Sequence, residues 1–482
     1  MLFNSLSFCI FFVIVTFLYY VLPWRWRWKI LLAASCIFYM AFIPAYIFIL
    51  FSTIAIDYFM GIMIAEATGR KRLMYLQVSI VSTCLVLFVF KYFAFFGMTV
   101  RELQRLFGAA QAFPIAHILL PIGLSFHTFQ SLSYVIEVYR GKQKPERNFG
   151  IYSLYVMFYP QLVAGPIERP QNLLHQFYNE YRFELSNLSY GLTLMAWGFF
   201  QKMVIADRAA IYVNNVYRGA ELESGLALLI ATLFFAVQIY ADFSGYSYIA
   251  IGCARIMGFK LMTNFRRPYF SRSISEFWQR WHISLSTWFR DYLYIPLGGS
   301  RVTVSRHFLN LMIVFSISGL WHGASWAFVL WGAYNGLLLV LESFFRSLGW
   351  RYQTTLSGNI LRRAIVLLSI CFGWILFRSR DLHTALAITH RIITATSFSR
   401  SSMLSAIFPS AGDVTSVAIG AVTCVMIALM FGLEMCVECN FRNVSQVLRS
   451  SVSYQFATIL ALFEVIMLFG ILRPSAFIYF QF

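Results

Sequence analysis

The chain runs to 482 residues, of which 59% are hydrophobic and 12% charged, against about 25% charged residues in an ordinary soluble domain. Length alone would suggest roughly three soluble domains, but the apolar runs are too long and too frequent for soluble cores. The 38 Lys and Arg against 20 Asp and Glu give a formal charge of +18. They are spread over short connections and form no soluble basic domain, which argues against nucleic-acid binding. The excess fits the Lys and Arg of cytoplasmic loops, and is compatible with attraction of an anionic substrate or cofactor.

In chain order, apolar runs predict spans near 5–23, 30–43, 45–65, 74–97 and 115–139. A crossing helix needs about 20 apolar residues, so 30–43 is short for one. The first run has no basic leader and no clear small-residue cleavage site, and reads as a span rather than a removed signal peptide. Trp24-Arg25-Trp26-Arg27-Trp28-Lys29, Arg70-Lys71-Arg72, and Arg140, Lys142, Lys144 and Arg147 follow alternate spans. All three clusters fall on the cytoplasmic side of the membrane if the N-terminus lies outside. Residues 150–168 are apolar but short, end in Ala164-Gly165-Pro166, and predict a re-entrant or interfacial segment. Spans near 186–206 and 225–257 follow, the second long enough to be tilted or broken. Residues 259–306 are too polar to face lipid. Further spans are expected near 308–321, 324–345, 361–378, 413–436 and 455–472, with 380–412 as a polar connection. The expected fold is an all-α polytopic membrane protein of roughly 10–12 transmembrane helices, with re-entrant or interfacial helices around a central tunnel.

The densest polar constellation is Glu276-Phe277-Trp278-Gln279-Arg280-Trp281-His282-Ile283-Ser284-Leu285-Ser286-Thr287-Trp288-Phe289-Arg290-Asp291-Tyr292. On a continuous helix, Trp278, Trp281, His282 and Leu285 share one face, and Trp288 and Tyr292 follow the stripe of Trp281. The bland alternative is an interfacial helix with Trp anchors and snorkelling Arg. Gly298-Gly299-Ser300-Arg301 then breaks the helix, and outside a strand–loop–helix context its glycines are weak evidence for a phosphate site. A second signal is Ser318-Gly319-Leu320-Trp321-His322-Gly323-Ala324, a lone His between apolar runs. An ionisable residue at membrane depth normally faces a cavity or a partner, although a core His bonded to a neighbouring helix remains open. Gly319 and Gly323 suit close helix packing under either reading.

Two more polar groups lie in apolar spans. Ser125, Thr128 and Ser131 form a stripe with His127 and Gln130 beside it. Gln238, Tyr240, Asp242, Ser244 and Tyr246 form the other, and a buried Asp242 needs a cation or donor partner. Converging polar groups argue for a wet tunnel and fit a transporter as well as an enzyme. No metal site is expected: Cys436 and Cys439 make a lone C-x-x-C, and no H-E-x-x-H occurs. There is also no nucleophile elbow and no P-loop.

Taken together, Pro121-Ile122-Gly123 through Tyr139-Arg140-Gly141, Ala164-Gly165-Pro166, Ile205-Ala206-Asp207, Tyr240 through Ser247, Glu276 through Arg301 and Gly319 through Ala324 resemble, in order, the membrane-bound O-acyltransferase family. The likeness is to its bacterial polysaccharide O-acetyltransferase branch, typified by the alginate enzyme. His127 stands where many relatives are expected to carry Tyr. The resemblance implies one transmembrane domain over 1–482, with N-terminal spans in 1–147, a catalytic core in 148–380 and further spans in 381–482. It implies His322 as the catalytic intramembrane histidine and His282 as the second. Glu276, Arg280, Arg290, Asp291, Asp242 and Arg301 are lesser candidates for substrate or donor binding. The implied donor is acetyl-CoA, with no covalently bound cofactor. The implied partners are a polysaccharide acceptor or a periplasmic acetyltransferase, membrane lipid, and an acyl-carrier donor as an option. The alternatives are D-alanyl transfer from a carrier-protein thioester to teichoic acid, and a transporter without chemistry.

Overall fold

A computed structural model describes residues 1–108, 120–163, 165–349, 355–379, 381–397, 399, 414–439, 451–473 and 475–478. The first five residues of the span expected at 115–139, Ala164 and most of 398–413 lie outside the described residues. The described chain is helical, with no strand among the described residues. In order the helices are α1 (Leu6–Val21), α2 (Trp24–Met40), α3 (Tyr46–Glu66), α4 (Gly69–Leu87), α5 (Phe93–Leu106), α6 (Leu124–Tyr139) and α7 (Phe149–Met157). There follow α8 (Leu185–Phe199), α9 (Asp207–Arg218), α10 (Gly225–Ile256), α11 (Ile274–Arg280), α12 (Ile283–Phe289) and α13 (Val304–His322). The last are α14 (Trp326–Ser347), α15 (Leu356–Arg378), α16 (Leu382–Thr394), α17 (Val414–Glu438) and α18 (Val452–Phe469).

Among the described residues seven helical stretches are long and apolar enough to cross a membrane: α3, the run Gly69–Leu106, α10, α14, α15, Gly420–Glu438 within α17, and α18. The chain is a multi-pass membrane protein. Several boundaries differ from the sequence reading. The Trp/Arg cluster 24–29 is not a loop but the first turns of α2, because Pro23 fixes its own φ and needs no N–H at a helix start. Arg70-Lys71-Arg72 likewise open α4, and that helix runs on through a π-helical turn, Phe88–Tyr92, into α5. α10 is one unbroken helix of 32 residues. Within the supposed polar connection 380–412, Asp381 caps α16 by accepting the Thr384 N–H at 2.7 Å.

The chain divides into two compact units, Met1–Gly191 with Ala250–Met262, and Leu192–Ile249 with Thr263–Phe482. In the first, α3, α4 and α6 pack together. Gly61 makes room for the Tyr134 ring, which would lie 2.5 Å from a Cβ there. The buried Asp57 accepts hydrogen bonds from the hydroxyls of Ser79 (2.5 Å) and Thr83 (3.1 Å). Gly123, at φ +80, turns the chain into α6 against the Leu162 carbonyl, a place no side chain would fit. In the second unit, α13 and α14 approach at Gly319 and Gly332: a Cβ on Gly319 would sit 3.0 Å from the Gly332 Cα. Gly319 serves helix packing as expected, Gly323 lies just past the end of α13 with the Phe328 ring against it, and His322 sits one turn beyond the Gly319 contact.

Candidate active site

The second unit holds a cavity of about 470 Å³. Its walls come from the 275–294 stretch and from α13 and α14, and both His282 and His322 line it. Trp278, Trp281, Phe289 and Phe315 supply apolar wall; Gln279, Ser286, Thr287, Arg290, Tyr294 and Ser318 supply polar groups. A mostly apolar pocket with a few converging polar side chains is the usual form of a small-molecule site.

His282 does not lie within a continuous helix. α11 ends at Arg280 and α12 begins at Ile283, with His282 between them in the left-handed region at φ 44. Such a conformation costs a non-glycine residue free energy and persists only where surrounding contacts over-determine it. Those contacts come from the 264–266 strip. The Asn264 carbonyl accepts the Ile283 N–H (2.9 Å), and the Arg280 carbonyl accepts the Arg266 N–H (2.9 Å). The broken helix still brings Trp278, Trp281, His282 and Leu285 to one cavity, although helical periodicity is not the reason. Trp281 instead packs among Phe277, Phe265 and Trp374, and Trp288 packs on Tyr292.

The Asn264 side chain fixes the imidazole. Its Oδ1 accepts the Ser284 backbone N–H (3.2 Å) and hydroxyl (2.9 Å). A backbone N–H can only donate, so this atom is the oxygen. The His282 Nδ1, 3.1 Å from the same oxygen, must therefore carry its proton. The tautomer leaves Nε2 as the basic nitrogen. Burial drives the imidazole toward its neutral form, pushing its pKa down from 6.5 to about 3. Phe243 stands edge-on to the ring, with centroids 4.6 Å apart.

His322 ends α13, where the helix dipole favours the positive charge a base acquires on taking a proton. It is 6% exposed and contacts the rings of Trp321 (4.9 Å), Trp331 (5.0 Å) and Phe377 (5.6 Å between centroids). The Trp321 ring also neighbours that of His282, with centroids 6.4 Å apart.

The other candidates separate. Arg290 lines the cavity and pairs with Asp291 at 2.8 Å. Glu276 accepts the Arg272 N–H (2.7 Å) at the start of α11, where Ser273 is the cap, and pairs with Arg280 at 2.6 Å. Arg280 also binds Glu438 of α17 (2.8 Å), which binds Arg267 as well (2.8 Å). Thus Glu276 and Arg280 belong to an ion-pair network that fastens α17, and neither lines the cavity. Arg301 is exposed. Asp242 is buried and paired with Lys202 (2.6 Å), which also reaches Asp207 (2.9 Å). That is the cation Asp242 requires. Lys202, a lone charge in an apolar run, was the sequence signal for it. Thr128 bonds back to the Leu124 carbonyl of its own helix (2.8 Å), so this member of the polar stripe needs no tunnel to satisfy it.

A family description, the membrane-bound O-acyltransferase family, matches residues 147–379. The chain is 39% identical over 370 residues to a probable alginate O-acetylase of Azotobacter vinelandii, covering 76% of this chain and 73% of that protein. The chain belongs to the membrane-bound O-acyltransferase family. It is a membrane-embedded O-acyltransferase. It is also 32% identical over 426 residues to a peptidoglycan O-acetyltransferase of Helicobacter pylori, covering 80% and 79% of the two chains. A teichoic acid D-alanyltransferase of Bacillus subtilis is 27% identical over 276 residues, covering 54% of this chain and 69% of the other. For this O-acyltransferase, Asn264, Tyr294 and Lys202 are the site and near-site residues that the sequence reading did not single out.

Proposed function

We propose that this O-acyltransferase moves acetyl groups from acetyl-CoA to hydroxyls of an exported polysaccharide of alginate, cellulose or peptidoglycan type. The transfer is direct or passes through a periplasmic partner acetyltransferase. The observation that carries the reading is the pair of buried imidazoles on one cavity of about 470 Å³. Such a volume suits an acyl thioester tip and a hydroxyl, not a whole nucleotide-bearing donor. The acetylating relatives cover more of the chain than the D-alanyl one.

A sugar hydroxyl is a poor nucleophile at neutral pH. His322 takes its proton as the oxygen attacks the thioester carbonyl; the C–O bond forms, the C–S bond breaks, and the proton passes to the departing thiolate. His282, with Nδ1 held by Asn264, presents Nε2 to the acceptor and orients it. A second route, in which His322 first carries the acyl group, uses the same residues. Arg290 is the cavity-lining cation available to an anionic donor. The chain acts as a single domain in a bacterial inner membrane with its N-terminus outside, the side that puts its basic clusters in the cytoplasm.

The test is mass spectrometry of the cell-surface polymer with wild type and His322→Ala. Acetyl ester present with wild type and absent with the variant, at equal membrane levels of protein, supports the reading. D-alanyl ester in its place would move the assignment to the teichoic acid branch, and unchanged ester would leave a conduit without chemistry.

A further inference from the structure

The irregular segment after α18 enters the interior of the second unit. Phe477 and Ile478 are 1% and 2% exposed although neither lies in a long helix. The segment is held by a buried charge cluster. Lys202 faces two carboxylates, Asp207 and Asp242. One ammonium is shared between two carboxyl groups, and the segment supplies further donors. The Ser475 hydroxyl donates to Asp207 (2.8 Å) and the Ile478 N–H donates to Asp242 (2.6 Å). In return Lys202 donates to the Ala476 carbonyl (3.4 Å). Withdrawing the segment would strand a buried carboxylate, so the cluster and the segment hold each other.

Between these anchors Phe477 packs on Phe243 (5.3 Å between centroids) and Tyr246 (4.9 Å). Phe243 in turn is the ring that stands edge-on to His282. We propose that Phe477 is a positioning residue of the acyl-transfer site: locked by the Lys202–Asp207–Asp242 cluster, it presses Phe243 against His282, sets the imidazole's angle to Asn264 and keeps water from its far side. The proposal rests on the reading of His282 as a working residue of acyl transfer. The titratable or charged groups sharing the His282 cavity are His322, Arg290 and Tyr294; the faces packed on the ring itself come from Phe243, Phe265, Trp321 and Asn264.

The test uses the full chain in membranes with Phe477→Ala, Phe477→Leu and Ser475→Ala. Carbethoxylation of His282 by diethyl pyrocarbonate, followed by peptide mass spectrometry, reads the ring's accessibility without reference to activity. Phe477→Ala should raise the labelling rate about tenfold, because truncating a buried ring opens space that water can enter. Phe477→Leu, which keeps apolar bulk, should stay within about twofold. Ser475→Ala, a milder loss of one anchor, should move in the same direction by less. Acyl transfer by Phe477→Ala should also gain an acid limb below about pH 6, as rehydration returns His282 toward its ordinary range. Unchanged labelling in both Phe477→Ala and Ser475→Ala overturns the proposal, as does loss of activity with an unchanged labelling rate and pH profile. His282→Ala is run alongside: full activity there would refute the role of His282, while the labelling result would still decide the packing.

Discussion

His127 and His282 are each 1% exposed, yet their surroundings differ. His127 sits in the first turn of α6, and among the described residues neither of its ring nitrogens has a hydrogen-bond partner. It does not line the 470 Å³ cavity. His282 is gripped by Asn264 through Nδ1 and faces that cavity. Burial alone yields a neutral imidazole. What makes one of these a candidate for chemistry is a partner that decides which nitrogen is basic and a space where a reactant can meet it. His322 meets the second condition, at the end of α13 and packed against aromatic rings.

Substitutions sharpen this contrast. His322→Ala should reduce acyl transfer by about 10³-fold or more, the effect of losing a positioned general base, with the protein still inserted in the membrane. His282→Ala should cost about 10²-fold in the same assay of ester formation. Asn264→Ala should cost roughly tenfold while leaving His282 in place, because the ring is then free to hold its proton on either nitrogen; full activity would mean the tautomer is immaterial. His282 also bears on stability. Unfolded, it takes up a proton below about pH 6.5, whereas folded it resists protonation down to about 3. The unfolded state binds more protons across that window, so stability should fall as pH drops through it. Thermal unfolding at pH 7 and pH 5 should show a smaller loss for His282→Ala than for wild type. At the small end, His127→Phe should leave transfer within about twofold and stability equal or higher, since an unpartnered polar ring is replaced by an apolar one. A large loss there would give His127 a role that its surroundings do not suggest.

The helical membrane architecture was legible because long apolar runs leave few alternatives to helices. His322 was legible as an ionisable residue in an apolar setting, and Gly319 by its spacing from it. The break at His282 was not. Residues 276–292 read as one amphipathic helix, and the left-handed turn is imposed by Asn264 and Arg266, which are distant in sequence. The role of Glu276 as a helix-start acceptor was written in Ser273-x-x-Glu276, a spacing typical of helix caps. Its link through Arg280 to Glu438 was invisible, since an ion pair 158 residues away leaves no local trace. The segment around Phe477 was equally hidden, its burial resting on a charge cluster from other elements.

The central claim is that His282 and His322 serve one reaction in one cavity. A double-substitution cycle of single-turnover acyl transfer tests it most directly. If the two imidazoles act as a unit, His282→Ala combined with His322→Ala loses little more than His322→Ala alone. Independent losses that multiply, or either single variant transferring at the wild-type rate, would contradict it.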